Sequence, residues 1–377
     1  MNKSRKLDRQ LLIYTIILLI IGLIMMFSAS NIAAMLRYHS SPFSFLIKQG
    51  IWFSIAFIIS FFVLLTDTKK YYALSLIILA IFLILLVVVL LRNQFTNNAR
   101  SWIKIGKFSL QPSEIIKIAY IIWASCYYNI QKDKLDHPFI ALVPLLGAFL
   151  IAILIFIQPD FGTSVVFLAI AFFLFIINPI SKKIKKPIYR LVGLFSLFLL
   201  FILIFKPDLI NKLPSEPKSR LNLHNFCSKE RYFTDGNQMC NSLIAFNSGG
   251  LIGKGFTKSS QKYLYLPDSH TDFIFPIIVE ELGAIGGIII IILYMLMLYR
   301  IIIVGKNSLN NRNASICYAI AFYLFIHIFF NIGGVSALIP ITGVPLPLLS
   351  YGGSFNITVL VSLFIVQRIS IENNKNL

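Results

Sequence analysis

Two carboxylates, a histidine and a threonine fall within five residues in Asp268-Ser269-His270-Thr271-Asp272. Phe273 follows at once and opens a long apolar run. A carboxylate at the polar mouth of an apolar helix, half shielded by Phe273 and Phe275, has the setting of a general base. It can take a proton from a hydroxyl delivered along a membrane surface. Asp272 is therefore the first candidate for chemistry. The competing assignment is N-capping, in which Thr271 and Asp272 only satisfy the free amides of the helix that follows. His270 alone makes no metal site, because no second His or Cys stands at ligand spacing.

Other ionisable residues stand where an apolar helix would not carry them without a reason. Glu114 and Lys117 are three apart and can pair on one helical face, as a structural ion pair or as part of a site. Asp160, in Gln158-Pro159-Asp160-Phe161-Gly162-Thr163, lies in a tight turn and suits an N-cap. Glu280 and Glu281, about two turns into the run after Phe273, must face protein or water. They can bind a cation, relay a proton or hydrogen-bond between helices. Ser248-Gly249-Gly250-Leu251-Ile252-Gly253-Lys254-Gly255 superficially suggests a phosphate loop. Its spacing is one residue short, and Gly255 stands where Ser or Thr would hold magnesium, so a nucleotide site is rejected. Its amides and Lys254 retain the means to cradle a pyrophosphate.

The elements that position these residues are written in the composition. The chain has 377 residues, 57% hydrophobic and only 13% charged, with mean hydropathy +0.80. A soluble domain is about 25% charged. This much apolar surface excludes an ordinary soluble enzyme, a disordered chain and a secreted disulfide scaffold. A membrane-crossing helix needs roughly 20 apolar residues. Such runs lie near 11–31, 45–65, 71–91, 112–129, 138–157, 162–179, 190–206, 273–299, 315–337 and 348–367. The expected fold is all-α and polytopic, a single transmembrane domain of about ten helices over 1–377. The first run lacks a small-residue cleavage site and is expected to be a retained helix rather than a signal peptide.

Net charge is +19. In a soluble protein this would suggest nucleic-acid binding. Here the basic residues cluster between apolar runs, which is how a membrane protein fixes its orientation, so no nucleic acid is expected. With the N-terminus (1–10) inside, eighteen Lys and Arg fall on the inner connections and six on the short outer ones. Both termini, including 368–377, are thus expected in the cytoplasm, with one large extracytoplasmic loop over 207–272 between the seventh and eighth spans. Its Gly-rich, aromatic end argues for order. Cys126 and Cys317 lie in apolar runs and pack there, whereas Cys227 and Cys240 share the loop and can bond if it faces an oxidising compartment. Pro340-Ile341-Thr342-Gly343-Val344-Pro345-Leu346-Pro347 suits a re-entrant segment, and Tyr351-Gly352-Gly353-Ser354 allows close helix approach.

Taken in order, several blocks resemble the SEDS family of FtsW, RodA and SpoVE. They are Ala99 to Ile103, Gln111-Pro112-Ser113-Glu114-Ile115-Ile116-Lys117, Gln158 to Thr163, Asp235-Gly236-Asn237-Gln238 and Ser242 to Ala245. Leu266 to Phe275, Glu280-Glu281-Leu282-Gly283 and Asn331 through Ser354 complete the set. The resemblance implies a peptidoglycan glycosyltransferase that polymerises lipid II at the outer face of the cytoplasmic membrane. The product would be an undecaprenyl-pyrophosphate-linked glycan, made beside a class B penicillin-binding protein and other divisome proteins, in contact with membrane lipid. Asp272 matches the family's catalytic aspartate. The resemblance further implies substrate contacts at Arg100, Lys117, Glu114, Asp160, Arg220, Gln238, Lys254, His270, Thr271 and Ser354. A cation, from Arg or Lys or as a divalent ion such as Mg or Mn, would neutralise the pyrophosphate. Ser259 to Lys262 and Tyr265 to Pro267 look closer to the division branch than to the elongation branch, so the resemblance implies work at the septum, with an elongation-type polymerase as the alternative subtype. Asp268 stands where the family usually has Glu, and Asn237 where it usually has Tyr. A lipid II flippase using Glu114, Lys117, Glu280 and Glu281 as a polar path, and a non-catalytic scaffold, are the competing readings.

Overall fold

Among the described residues there are ten long helices, one on each of the ten apolar runs. The computed structural model describes residues 7–91, 101–105, 108–205, 226–232 and 236–375. Arg100 and Arg220 therefore lie outside the described residues. The helices are α1 (Arg9–Leu36), α2 (Ser44–Leu65), α3 (Tyr71–Leu91), α4 (Pro112–Ile130), α5 (Pro138–Ile157), α6 (Phe161–Ile177) and α7 (Lys182–Phe205). The short α8 (Lys229–Tyr232) and α9 (Asn237–Gly249) lie in the large loop. They are followed by α10 (Ile274–Lys306), α11 (Asn311–Val335) and α12 (Gly353–Lys375). Seven of these are long and apolar enough to cross a membrane, and α6 is a shorter apolar helix. The protein is a multi-pass membrane protein.

The local chemistry starts and satisfies these helices. Asp8 caps α1 through the Leu11 amide, Asn310 caps α11 through Arg312, and Pro112 and Pro138 occupy the first turns of α4 and α5. Pro144 inside α5 leaves the Ile140 carbonyl without its usual amide. The Tyr127 hydroxyl donates to it at 3.1 Å, and Tyr120 and Tyr128 donate to the carbonyls of Pro144 and Ala141. In a membrane, a backbone group freed by proline has to be satisfied in this way by a neighbouring helix.

Nearly all of α12 is buried, and it packs chiefly against α2, where Gly353 lets the backbone press on the Trp52 ring. Both described ends of the chain lie at one end of the bundle. The Asp8 amide donates to Gln367 Oε1 at 2.8 Å, and Gln367 Nε2 donates back to the Asp8 carbonyl at 3.0 Å. Arg300 pairs with Asp8 at 2.5 Å, and Arg368 pairs with Asp67 and Glu372.

Three departures from the sequence expectation matter. The fold is not wholly α-helical: β1 (Ile103–Ile105) and β2 (Phe108–Leu110) pair antiparallel, with Ile103 opposite Leu110, just before α4. The last helix begins at Gly353 rather than near 348, because residues 341–350 continue the non-helical segment. Finally, α10 is broken at Gly283, whose φ of 75° and ψ of 177° no helix contains.

The break is where the Gly-rich segment goes. The amides of Ala284 and Ile285 donate to the carbonyls of Gly250 and Leu251 at 2.9 and 3.2 Å. In return, the amides of Lys254 and Gly255 donate to the carbonyls of Glu280 and Glu281 at 2.9 and 3.0 Å. The loop thus supplies hydrogen bonds across the turn where the helix lacks its own. A side chain at Gly253 would lie 2.3 Å from the Glu281 carbonyl oxygen, so only glycine allows this approach.

Candidate functional site

Asp272 sits on the turn between Leu266 and α10. Phe273 holds the capping position of α10, and Asp272 stands one residue before it. The carboxylate is half-buried, next to the positive end of the helix dipole, which favours a negative charge. The Thr271 hydroxyl lies 2.9 Å from Asp272 Oδ1 and 3.0 Å from the Asp268 carbonyl oxygen.

The carboxylate faces the segment 338–350, which enters the bundle as extended chain and turn. A Cβ at Gly343 would lie 3.8 Å from Asp272 Oδ2. Asn331 on α11 ties the two together: its Nδ2 donates to the Asp272 carbonyl at 2.7 Å and to the Val344 carbonyl at 2.8 Å. Asp272, Asn331, Thr342 and Gly343 border a cavity of about 10 Å³, room for about one water. Any larger ligand must approach the carboxylate from its open side.

Carbonyls of the segment meet four different helices. Gly162 at the start of α6 lies against the Thr342 carbonyl, where a Cβ would come within 2.1 Å. His327 of α11 is 3.4 Å from the Pro345 carbonyl, the Tyr294 hydroxyl of α10 donates to that of Pro347, and Gly22 at the middle of α1 abuts that of Leu348. The expected re-entrant segment is therefore present and reaches the middle of the bundle.

The buried charges beside it form one cluster. Lys117 Nζ bonds both oxygens of Glu114 at 2.9 and 3.0 Å, lies 3.3 Å from His327 Nε2 and stands over the Tyr323 ring. The ammonium is fully buried, so here it neutralises Glu114 and is shielded from any ligand. Asp160 caps α6 through the Thr163 amide at 3.2 Å and accepts from Gln111 Nε2 at 2.5 Å. The Gln111 amide donates to Ser354 Oγ at 3.1 Å. The structure thus gathers Glu114 with Lys117, and Asp160 with Ser354 through Gln111. Gln238 lies in the first turn of α9, partly exposed.

Glu280, Glu281 and Lys254 have structural tasks. Glu280 accepts from Lys254 Nζ at 2.6 Å, Ser259 Oγ at 2.5 Å and the amides of Ser260 and Gln261. Glu281 accepts from Ser28 Oγ of α1 at 2.7 Å, from the buried Lys262 at 3.2 Å and from the Thr257 amide. Neither carboxylate is arranged as a step in a polar path, and the Lys254 ammonium is committed to Glu280. Among the described residues, no three His, Cys, Asp or Glu side chains lie together.

His270 is buried between the Phe45 and Tyr351 rings, at centroid distances of 4.5 and 5.8 Å, and its carbonyl accepts from the Tyr351 amide. Burial, aided by the Arg37 guanidinium, lowers its pKa to about 4. The imidazole is therefore neutral in the folded protein at pH 7. The unfolded chain takes up this proton near pH 6.5 and the folded chain only near pH 4. Stability is therefore lost as pH falls through that window and is full above it. The expected loss is about 3 kcal/mol. Thermal unfolding between pH 4.5 and 7.5 checks this: His270→Gln should flatten that part of the profile.

Cys227 and Cys240 are bonded, with Cα atoms 5.1 Å apart, and tie the segment before α8 to the first turn of α9. Loop-closure entropy gives such a bond about 3 kcal/mol. Cys227→Ser with Cys240→Ser should speed proteolysis within 226–240 without lowering the melting temperature of the helical bundle by a comparable amount.

Asn331, Gly343, Thr342, Gln111, His327 and Lys262 emerge as parts of the arrangement that residue type alone did not single out. Their signal is positional: an Asn, a His or a Lys inside an apolar or glycine-rich stretch has to find a partner there.

Fold and site together define a multi-pass membrane protein in which a carboxylate-bearing loop docks on a re-entrant segment. Residues 9–375 match the profile of a family described as "Cell cycle protein", that of FtsW, RodA and SpoVE, and the chain belongs to it. A Bacillus subtilis (strain 168) protein named "Probable peptidoglycan glycosyltransferase FtsW" is 34% identical, over 97% of this chain and 92% of that protein. Stage V sporulation protein E of the same organism is 32% identical, over 98% of each. A protein of Wigglesworthia glossinidia brevipalpis with the same FtsW name is 34% identical, over 99% of this chain and 97% of its own length. The crystal structure of Thermus thermophilus RodA shares the fold, with TM-score 0.66, 22% identity and coverage of 97% and 96%. So does a structure described as a peptidoglycan synthase complex that coordinates polymerization and crosslinking, with TM-score 0.72, 21% identity and coverage of 97% and 98%.

Proposed function

We propose that this protein is a peptidoglycan glycosyltransferase that joins lipid II units into glycan strands, with Asp272 as the general base. The observation that carries this reading is the Asp272 carboxylate itself. It is half-exposed, fixed by its backbone to Asn331 and set against Gly343, one residue before the capping position of α10. It deprotonates the 4-hydroxyl of the acceptor's N-acetylglucosamine. That oxygen attacks the anomeric carbon of the terminal muramyl sugar of the growing strand. The bond to the pyrophosphate oxygen breaks with inversion, and its electron pair leaves on undecaprenyl pyrophosphate. The proton rests on Asp272 until water removes it. The leaving group departs as an anion, so no protein acid has to protonate it.

The charge on that anion calls for a cation. With Lys117 closed around Glu114 and Lys254 around Glu280, Arg100 and Arg220 are assigned this task. A divalent ion, if used, would be held by the pyrophosphate itself. The charge distribution supports termini in the cytoplasm and Asp272 on the outer side. The name of the synthase complex among the structural relatives supports a crosslinking partner of the class B penicillin-binding type, and the FtsW-named relatives support work at the septum.

The test is polymerisation of labelled lipid II by the purified full chain with its candidate partner, the partner's transpeptidase serine having been mutated. Wild type should make long glycan and Asp272→Ala none, with partner binding equal. Equal synthesis by both would move the catalyst elsewhere. No synthesis by either, with the partner bound, would favour a flippase or scaffold.

A further inference from the structure

We propose that the Gly249–Gly255 loop is a membrane anchor whose tip, Leu251 and Ile252, is seated at the headgroup–acyl boundary of the leaflet on the Asp272 side. The two side chains are 72% and 82% exposed, among the most exposed apolar residues described. They stand on a convex turn, with nothing within 4 Å of a Cβ built at Gly250. A convex pair of this kind fits a lipid surface rather than the groove that a partner helix would need.

The height of the tip follows from the helix break. The Leu251 carbonyl accepts from the Ile285 amide, so the loop is level with Ile285. From that residue inward, Ile285, Ile288, Ile289 and Ile292 are about half exposed. On a membrane-spanning helix such an outward apolar face meets acyl chains. Leu251 and Ile252 thus extend the upper edge of a lipid-facing surface. Lys258, exposed in the same loop, supplies the cation that suits lipid phosphate at that level.

The anchor cannot swing away. Gly253 and Gly283 are in mutual backbone contact, and Glu280 and Glu281 hold residues 254–262 through side-chain and amide bonds. The same loop runs on to Asp272, so the anchor sets the height of that carboxylate above the lipid. The inference does not depend on the activity proposed above, and its test uses no enzymatic readout.

Ile252→Cys, and separately Leu251→Cys, would be labelled in the full chain with an environment-sensitive fluorophore under non-reducing conditions. There Cys227 and Cys240 are bonded and Cys126 and Cys317 are buried. In nanodiscs, lipid carrying a nitroxide at the top of the acyl chain should quench both positions as strongly as Ile292→Cys. Lys132→Cys, exposed at the α4–α5 turn, should not be quenched. Absence of nitroxide quenching at 251 and 252 would overturn the proposal. Iodide would then distinguish a loop standing in water, which it quenches, from one covered by protein, which it does not.

Discussion

Asp272→Asn is expected to lower glycan polymerisation by about 10²- to 10⁴-fold, the usual contribution of a positioned general base. Asparagine keeps the size of the side chain and can still accept from the Thr271 hydroxyl, which lies 2.9 Å from Oδ1. Its amide, however, cannot take up a proton at neutral pH. Asn331 holds position 272 through the backbone carbonyl rather than the carboxylate, so the turn should keep its place on Val344. The effect should therefore fall on turnover, with expression, melting temperature and partner binding close to wild type. Rates from single-turnover polymerisation with a fixed amount of lipid II measure it. A rate within threefold of wild type would remove Asp272 from the chemistry.

The second large effect belongs to Gly283→Ala. At φ 75° and ψ 177° an L-residue is strained by about 1–3 kcal/mol. Its Cβ would also stand 2.2 Å from the Leu251 carbonyl oxygen, and such overpacking costs about 1–3 kcal/mol more. The expected loss is about 2–6 kcal/mol, read as a lower melting temperature in detergent and faster proteolysis of 249–262. Gly147→Ala is the control. Gly147 lies inside α5 with nothing within 4 Å of the added carbon, and alanine there should stabilise by up to about 1 kcal/mol. If Gly283→Ala proved as harmless, the interlock of loop and helix would not be needed for stability.

These two positions show what could be read before the fold was known. Ten runs of apolar residues predicted ten helices because a bilayer imposes one length on every span; a described helix lies on each run, and seven of these are long and apolar enough to cross a membrane. Asp272 was visible because its neighbours, His270, Thr271 and Phe273, mark a polar mouth on an apolar helix. The break at Gly283 was not visible. Within Leu282-Gly283-Ala284-Ile285-Gly286-Gly287, small residues read equally well as tight packing, and the loop that satisfies the break is some thirty residues earlier in the chain. Of the roles open to Glu280 and Glu281, hydrogen bonding between elements is the one the structure bears out, but which partners they take was not legible. Their partners include Ser28, 253 residues away from Glu281, and only the tertiary structure brings them together. Lys254 looked like a phosphate ligand because local composition cannot reveal that Glu280 claims it. Lys117 was correctly paired with Glu114, since three-residue spacing on a helix is local information, but its burial against His327 was not.

The segment 338–350 has a bearing on how the chain is made. Its carbonyls lean on Gly162, His327, Asn331, Tyr294 and Gly22, residues contributed by α6, α11, α10 and α1. Such a stretch has no stable form of its own in hydrocarbon. Helices can enter the bilayer one at a time, but this piece has nowhere to rest until all four walls stand around it. It must be the keystone, set only once α1, α6, α10 and α11 have met. Asp272 leans on that keystone through Asn331 and Gly343, so partly assembled chains would carry the aspartate without its surroundings. Competence for chemistry and completion of biogenesis would then arrive in the same step.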